Sequence, residues 1–272
     1  MSSNKVKHPN FTVVIVGCGN LAWHLAKRLY KQGVGPLKVF NHKKNAALQA
    51  FKEEFNAEIF SDFKRLPKTA DFYFICVSDN AIPEVLKTIK ANTFKGVVMH
   101  CAGAKPLSLL EAKIKQRAVF YPLQTFTKHA KIHWSEVPLI VEASSETVLS
   151  KVKTITALFS KHVTVLSHHE RLQLHLAAVF ANNFVNALFV EAYKLLPKVN
   201  DAHENLLLPL IQQTVSKLEK VHPLNAQTGP AKRHDKSTMD THVQLLKQQP
   251  KLSALYKQLS ELITVQQKHI HE

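Results

Sequence analysis

Cysteine is scarce in this 272-residue sequence, and the three that occur are Cys18, Cys76 and Cys101. An odd number of cysteines without metal-ligand spacing argues against a disulfide framework, and it predicts reduced thiols in a cytoplasmic protein. The sixteen histidines form no HExxH motif and no other paired ligand spacing. We therefore predict no metal site.

Long apolar segments are also missing from the sequence. Residues 1–10 are polar and no apolar h-region follows them, so we expect no signal peptide. The most apolar helical run, 176–190, contains three asparagines and is shorter than the roughly 20 residues that a bilayer requires. These two observations predict a protein without a membrane segment.

Acidic residues are few, and the formal charge of +16 comes mainly from the first part of the chain. Residues 1–165 carry 24 Lys and Arg against 11 Asp and Glu, whereas residues 166–272 carry 12 against 9. Such a bias suits nucleic acid, a polyanionic metabolite or simple solubility. No dense basic tract and no basic motif interleaved with aromatics occurs, so we predict no nucleic-acid binding.

Short apolar runs alternate with helical patterns in the first part of the chain. This alternation predicts an α/β fold, a Rossmann-type doubly wound sheet with parallel strands at its centre. After residue 167 only helical patterns remain, so we predict a dinucleotide-binding domain over 1–165 and an all-α domain over 166–272. The predicted strands are 11–16, 37–40, 72–77, 96–99, 118–120, 139–142 and 162–166, and the predicted C-terminal helices are 168–196, 206–221, 237–247 and 251–268.

Two of only seven glycines stand in residues 17–22, which read Gly-Cys-Gly-Asn-Leu-Ala. This G-x-G-x-x-A pattern directly follows the first strand and opens a helix, the context that a dinucleotide fingerprint requires. Gly17 would permit the tight turn, Gly19 would let the backbone approach a pyrophosphate, and Ala22 would keep the helix close to the sheet. The alternative is an ordinary glycine turn.

The end of the second strand predicts which dinucleotide binds. An NAD site usually has a carboxylate there, which accepts hydrogen bonds from the ribose 2′-hydroxyl. This sequence has Asn41, His42, Lys43 and Lys44 instead, and no carboxylate before Glu53. Because the two lysines would attract a 2′-phosphate, we predict NADP(H). The alternative is that they are merely solvated residues of a turn.

A polar stripe is predicted on the helix over 168–196. On a wheel of about 100° per residue, His175, Asn182, Asn186 and Tyr193 share one line, Arg171 lies close to it, and apolar residues occupy the rest of the circumference. On a buried helix these polar groups need partners. The stripe either faces a ligand cleft or makes helix–helix hydrogen bonds, including those of a dimer seam.

Three loops concentrate polar residues: 100–104, 120–128 and 227–235. The first two follow strands, and loops at the carboxyl ends of strands line the ligand crevice of open α/β sheets. We predict substrate contacts from Gln124 and Thr125 in the second loop and from Arg233 in the third. The third loop would have to fold back onto the crevice or onto a second subunit, and it could instead be a linker with a Gly-Pro turn.

Five segments carry a family resemblance: GCGNLAWHLAKRL at 17–29, FICVSDNAIPEV at 74–85, FYPLQTFTK at 120–128, RLQLHLAAVFANNFVNALF at 171–189 and QTGPAKRHD at 227–235. Together they resemble a bacterial family of Rossmann-like NADP oxidoreductases whose second domain has no known function. Its wider relatives are pyrroline-5-carboxylate reductase, ketopantoate reductase, deazaflavin-dependent NADP oxidoreductases and β-hydroxyacid dehydrogenases. The resemblance implies the same two-domain plan and a homodimer formed through the helical domain.

The resemblance also implies site residues. NADP would bind at Gly17, Gly19, Asn20 and Leu21, and the nicotinamide side would lie near Ser78, Asp79 and Asn80. β-Hydroxyacid dehydrogenases carry a catalytic lysine in a helix motif K-x-x-N-N. The matching residues here are 179–183, and Val179 stands in place of the lysine.

These patterns predict hydride transfer between NADPH and a small carbonyl or imine compound. His175, one turn before Val179, would donate or accept the proton, because imidazole exchanges protons near neutral pH. Asn182 and Asn186 would orient the substrate. The alternative is a non-catalytic NADP-binding sensor or scaffold, which the missing lysine favours.

Overall fold

A computed structural model describes residues 11–89, 93–197 and 206–268. The chain forms two compact units, Met1–Val185 and Asn186–Glu272. The division falls later than the predicted boundary near residue 166, although the last strand does end at Val165. The first turns of the long helix that follows this strand therefore belong to the first unit.

The first unit is built on an eight-stranded sheet in the order β3-β2-β1-β4-β5-β6-β7-β8. All neighbouring strands are parallel except β6 and β7, which are antiparallel, so the predicted doubly wound α/β fold is confirmed. The strands are β1 (Val13–Val16), β2 (Lys38–Phe40), β3 (Glu58–Phe60), β4 (Phe72–Ile75), β5 (Val97–His100), β6 (Arg117–Pro122), β7 (Leu139–Ala143) and β8 (Val163–Val165).

Helices cover the two faces of this sheet. Because both faces are covered, the central strands are apolar along their whole length: all four residues of β1 and all four of β4 are buried. Within β1, Val13 and Ile15 join one core cluster, and Val14 and Val16 join the other. The helices are α1 (Asn20–Lys31), α2 (Ala46–Phe55), α3 (Ile82–Thr88), α4 (Glu146–Thr156) and α5 (His168–Ala178).

The second unit is helical in its described part, as predicted. Its C-terminal pair, α9 and α10, pack on each other, and His242 of α9 pairs with Tyr256 of α10, with 2.9 Å between Nδ1 and Oη. The helices are α6 (Val185–Lys194), α7 (Leu208–Lys217), α8 (Pro223–Ala226), α9 (Lys236–Leu245) and α10 (Pro250–Lys268).

One continuous helix of 27 residues, His168–Lys194, contains α5 and α6. The helix is longer than the run 176–190, and by length and composition alone it could cross a membrane. Core helices of water-soluble proteins have the same length and composition, so the absence of a membrane segment stays a prediction. The expectation that the helix is buried is wrong within one chain, where Leu176 and Phe180 are 57% and 61% exposed.

The helix contains a π-turn at Val179–Phe184, between α5 and α6. A π-turn adds one residue to a helical turn, so the residues beyond it are displaced by about 100° from the wheel drawn for an ideal α-helix. The predicted alignment of Asn186 and Tyr193 with His175 is therefore wrong. The sequence pattern gave no sign of this turn.

Arg171, in the first turn of α5, is completely buried. Its Nη1 donates to the carbonyl oxygens of Gly103 at 2.6 Å and Lys105 at 2.9 Å, and more distantly to that of Ala102 at 3.3 Å. Its Nη2 donates to a carboxylate oxygen of Glu142 at 2.7 Å. One guanidinium thus joins α5 to the loop after β5 and to β7.

We expect Arg171→Met to lower the free energy of unfolding of the first unit by about 3–5 kcal/mol, because it leaves the partners of a buried charge unpaired. The fluorescence of Trp23 and Trp134 during urea unfolding measures this, since both tryptophans of the chain lie in the first unit. Arg117→Met is the matched control: the carboxylate partner of Arg117, Glu111, is mostly exposed, so the loss should be about 0–1 kcal/mol. Equal losses in the two variants would contradict this account of Arg171.

Candidate functional site

The loop between β1 and α1 requires glycine at its first position. Gly17 has φ of +113°, a value that disfavours other residues. A Cβ atom there would also lie 2.5 Å from the carbonyl oxygen of Cys76 at the end of β4. The backbone N–H of Gly17 donates to the carbonyl of Phe40 at 2.7 Å. The turn is therefore packed tightly between β2 and β4.

Gly19, unlike Gly17, is not required by packing within the protein, because a Cβ atom there would meet no atom within 4 Å. The residue is extended, with φ of −78°, and no side chain caps the helix that follows it. The first three N–H groups of α1, from Asn20 to Ala22, thus precede the first intrahelical bond, which Trp23 donates to Gly19. Open space beside a glycine and uncapped helix amides fit a pyrophosphate.

A cavity of about 680 Å³ lies beside this loop, at the carboxyl ends of β1, β2 and β4. Open α/β sheets bind their ligands at this edge. Four of the predicted cofactor residues line the cavity, namely Gly17, Gly19, His42 and Ser78. Other lining residues are Val16, Cys18, Phe40, Asn41, Phe63, Cys76, Val77, Ala81, Glu84, Val85 and Thr88.

The turn after β2 brings Asn41 and His42 to this cavity, and Lys43 and Lys44 follow them in the sequence. Asn41 is buried, and its side-chain amide donates to the backbone carbonyl of Lys43 at 2.8 Å, which shapes the turn. His42, Lys43 and Lys44 are exposed. Within the described residues neither lysine forms an ion pair, so both ammonium groups are free to meet an anion.

The segment after β6 is held against α1 by three contacts. The side chain of Asn20 donates to the carbonyl of Phe126 at 2.9 Å, and Nε2 of His24 lies 2.8 Å from the carbonyl of Thr127. Lys128 places its ammonium 4.2 Å from the centre of the Trp23 ring. Asn20, a predicted cofactor residue, thus uses its side chain to hold this segment, and its backbone N–H remains available.

The predicted substrate residues in that segment, Gln124 and Thr125, are both exposed. The Gln124 carboxamide oxygen accepts a hydrogen bond from the N–H of Thr125 at 2.8 Å. Phe126 and Thr127 are bound to the first two turns of α1. Gln124 and Thr125 therefore lie one or two positions in the sequence before a residue that contacts α1.

A tyrosine that sequence reasoning did not select pairs with His175. Tyr121, near the end of β6, places its Oη 3.1 Å from Nδ1 of His175 on α5. Gly103 lies against this pair: a Cβ atom there would be 2.7 Å from the Tyr121 ring and 2.8 Å from His175 Nδ1. A residue larger than glycine would therefore push the pair apart. The sequence signal was a polar aromatic residue at the carboxyl end of a predicted central strand.

Burial and nearby charges shift the pKa of Tyr121 itself and of His100, the last residue of β5. Burial raises the pKa of Tyr121, and of the two charges that act on it, Arg171 opposes the shift and Asp79 adds to it. Burial, and then the positive charge of Arg171, lower the pKa of His100 to about 4. Tyr121 is consequently a neutral phenol and His100 a neutral imidazole near pH 7.

The remaining predicted residues are more solvent-exposed. Asn182 and Asn186 are exposed, and within the described residues neither side chain forms a hydrogen bond. Asp79 is half-buried and Asn80 is exposed, both on a 3₁₀ turn before α3, and Leu21 packs against the core of the first unit. Arg233 is exposed in the loop before α9 of the second unit.

Comparison with known proteins places this geometry in a family. Residues 12–100 match the NADP oxidoreductase, coenzyme F420-dependent family, and residues 137–263 match a domain of unknown function, DUF2520. A candidate NADP oxidoreductase of Bacteroides fragilis, BF3122, is 33% identical over 94% of this chain and 98% of its own, with a TM-score of 0.84. The chain belongs to this family of NADP oxidoreductases with a C-terminal DUF2520 domain.

More distant relatives of this NADP oxidoreductase share the fold. A reductive aminase of Aspergillus terreus, solved with NADPH and ethyl-5-oxohexanoate, is 17% identical over 93% of each chain, with a TM-score of 0.66. A pyrroline-5-carboxylate reductase of Coxiella burnetii is 16% identical over 96% of this chain and 98% of its own, with a TM-score of 0.54. Among curated proteins, none matches the sequence.

The two glycines of the loop should respond differently to alanine. Gly19→Ala should leave the melting temperature unchanged, because its Cβ meets no protein atom, yet weaken NADPH binding at least about tenfold by occupying the space for the pyrophosphate. Gly17→Ala should lower stability by about 1–3 kcal/mol through its positive φ. Thermal melting and calorimetric titration with NADPH measure both effects. Normal NADPH affinity of Gly19→Ala would show that the cofactor does not approach this backbone.

Proposed function

We propose that this family member reduces a small carbonyl or imine compound with NADPH. The observation that carries the proposal is the Tyr121–His175 pair, a proton-exchanging group at the carboxyl ends of β5 and β6 in the same unit as the dinucleotide loop. The likeness to a reductive aminase solved with NADPH and a keto ester supports it, as does the likeness to a pyrroline-5-carboxylate reductase.

NADPH, when bound, supplies the hydride that reaches the substrate carbon. His175 supplies the proton that the carbonyl oxygen or imine nitrogen gains as its double bond opens, and solvent then reprotonates the imidazole. Gln124 and Thr125 bind the polar end of the substrate, and Asn182 orients it. These roles follow from residue chemistry and from the positions of each residue within its own unit.

Lys43 and Lys44 give the preference for NADP(H) over NAD(H). Both are exposed and directly follow His42, which lines the cavity, in a turn that carries no carboxylate to accept the ribose hydroxyl of NAD. A 2′-phosphate gains attraction from two ammonium groups, whereas NAD gains nothing comparable. A reaction of this kind also suits a cytoplasmic protein, where NADPH is available.

Purified protein should oxidise NADPH when supplied with keto acids, keto esters or cyclic imines, and NADPH should bind more tightly than NADH by at least about tenfold. The double change Lys43→Ala and Lys44→Ala should narrow that preference by weakening NADPH binding alone. Absorbance of the reduced nicotinamide and calorimetric titration provide the measurements.

The matched control removes two exposed lysines from α4, Lys151 and Lys153; this helix follows β7, towards the other end of the sheet from β2. That variant should keep the full preference for NADPH. Equal binding of NADPH and NADH by the unchanged protein would refute the assignment of the lysines. Tight NADPH binding without turnover of any compound in the panel would favour the sensor or scaffold, which Val179 in place of the relatives' lysine already suggests.

We also propose that the exposed apolar side of the long helix His168–Lys194 binds a second copy of the chain. Leu172, Leu176, Phe180 and Phe184 are 42–61% exposed, and contiguous apolar surface of this kind marks an interaction site. A second copy is favoured because dimerisation through the helical domain is what the family resemblance implies. The contact would be a symmetric homodimer interface.

Light scattering at micromolar concentration should therefore give about twice the 30.7 kDa mass of one chain. Leu176→Glu together with Phe180→Glu should give a monomer, because each places a charge in the interface. Leu245→Glu is the control, since Leu245 is 75% exposed on a different helix, α9. A monomeric native protein that sediments with lipid vesicles would replace the dimer by a membrane contact.

A further inference from the structure

We propose that Tyr121 is a positioning residue for His175: its hydroxyl holds Nδ1, so that Nε2 is the nitrogen that exchanges a proton with the substrate. The catalytic consequence rests on the proposed function, whereas the orientation of the imidazole does not. No relative or family description given above assigns a role to Tyr121.

The pair is built into the sheet rather than left at the surface. Arg171 and His175 stand four residues apart on α5, so both side chains face the same way. The Arg171 guanidinium, bound to the carbonyls of Gly103 and Lys105, holds the loop after β5 against this face. Gly103 in turn touches both rings of the pair. Gly103, held by Arg171, therefore packs against both members of the half-buried pair.

The identity of the partner suits a group that must release a proton. A carboxylate beside His175 would stabilise the imidazolium by charge attraction and hold the proton back. A phenol accepts the Nδ1–H without adding charge. Since burial raises the pKa of Tyr121, the phenol also stays protonated and does not become an anion.

The proton balance selects one direction for the hydrogen bond. The imidazolium carries protons on both nitrogens, and the one on Nδ1 is donated to Tyr121 Oη. Release of the Nε2 proton to the substrate heteroatom leaves neutral imidazole that still carries its Nδ1 proton. No proton has to pass through Tyr121, so the resting neutral state is the Nδ1–H tautomer.

The tautomer can be read directly by ¹⁵N NMR of histidine-labelled protein, because protonated and unprotonated ring nitrogens have well-separated shifts. The spectra of His175→Gln and His242→Gln assign the two signals. In the unchanged protein above pH 8, His175 should be the Nδ1–H tautomer. In Tyr121→Phe, which keeps the ring and removes only Oη, it should shift towards the Nε2–H tautomer.

The chain offers a matched control in the second unit, where His242 Nδ1 lies 2.9 Å from Tyr256 Oη. Tyr256→Phe should alter the signal of His242 and leave that of His175 unchanged. An Nε2–H tautomer for His175 in the unchanged protein, or a spectrum of His175 that Tyr121→Phe does not alter, would overturn the inference.

Kinetics test the catalytic consequence separately. With any substrate that is turned over, Tyr121→Phe should lower kcat about tenfold to a hundredfold, the cost of a displaced catalytic group, and leave KM for NADPH unchanged. His175→Gln should lower kcat by roughly 10²–10⁴. Adding Tyr121→Phe to His175→Gln should then cost nothing more, because Tyr121 acts only through His175. Tyr256→Phe should keep full kcat.

The two proposals fail in distinguishable ways. The role of Tyr121 would be overturned, and the reductase kept, if Tyr121→Phe left kcat unchanged. The same conclusion would follow if Tyr121→Phe lowered kcat by the same factor in the unchanged protein and in the His175→Gln variant. Absence of turnover with every substrate, together with the expected tautomer shift, would overturn the reductase and keep the orientation of His175.

Discussion

The buried guanidinium of Arg171 is the interaction on which the rest of the site depends. It neutralises its charge against Glu142, and its Nη1 donates to carbonyl groups of the loop after β5. That arrangement positions α5 and brings Gly103 under the Tyr121–His175 pair. The same charge helps to keep His100 neutral, after the larger effect of its burial. One cation therefore sets both the geometry and the protonation of its surroundings.

The sequence was sufficient for the central strands and the dinucleotide loop, because their signals are local. A strand covered on both faces is apolar along its buried length, as the residues of β1 and β4 are. A glycine-rich turn that follows such a strand and precedes a helix is typical of a dinucleotide-binding loop. The prediction missed β3, whose three residues include an exposed glutamate, and it missed α4. Short or half-exposed elements take their stability from neighbours that a local pattern does not contain.

The candidate site was harder to predict, because it depends on residues that are distant in sequence. Tyr121 and His175 are 54 positions apart. The position of Tyr121 at the end of a strand was a sequence signal, but no local pattern pairs it with a residue of a distant helix. The helical wheel selected His175 correctly as a polar residue near Arg171, but the π-turn at Val179–Phe184 invalidates the wheel beyond that point. The exposure of Asn182 could not be predicted from the sequence either, because burial depends on what packs against a helix and not on the periodicity of the helix itself.

The attachment of the segment after β6 to α1 has an evolutionary consequence. Asn20 and His24 belong to the helix whose N-terminus would face the cofactor, yet they hold the backbone of Phe126 and Thr127. An insertion or deletion in this segment would displace α1, because the two are joined by these hydrogen bonds. A change of loop length that altered the substrate range would therefore also alter the proposed dinucleotide site. Side-chain replacement at exposed Gln124 and Thr125 avoids that penalty. Divergence among relatives should therefore proceed by substitution at constant loop length.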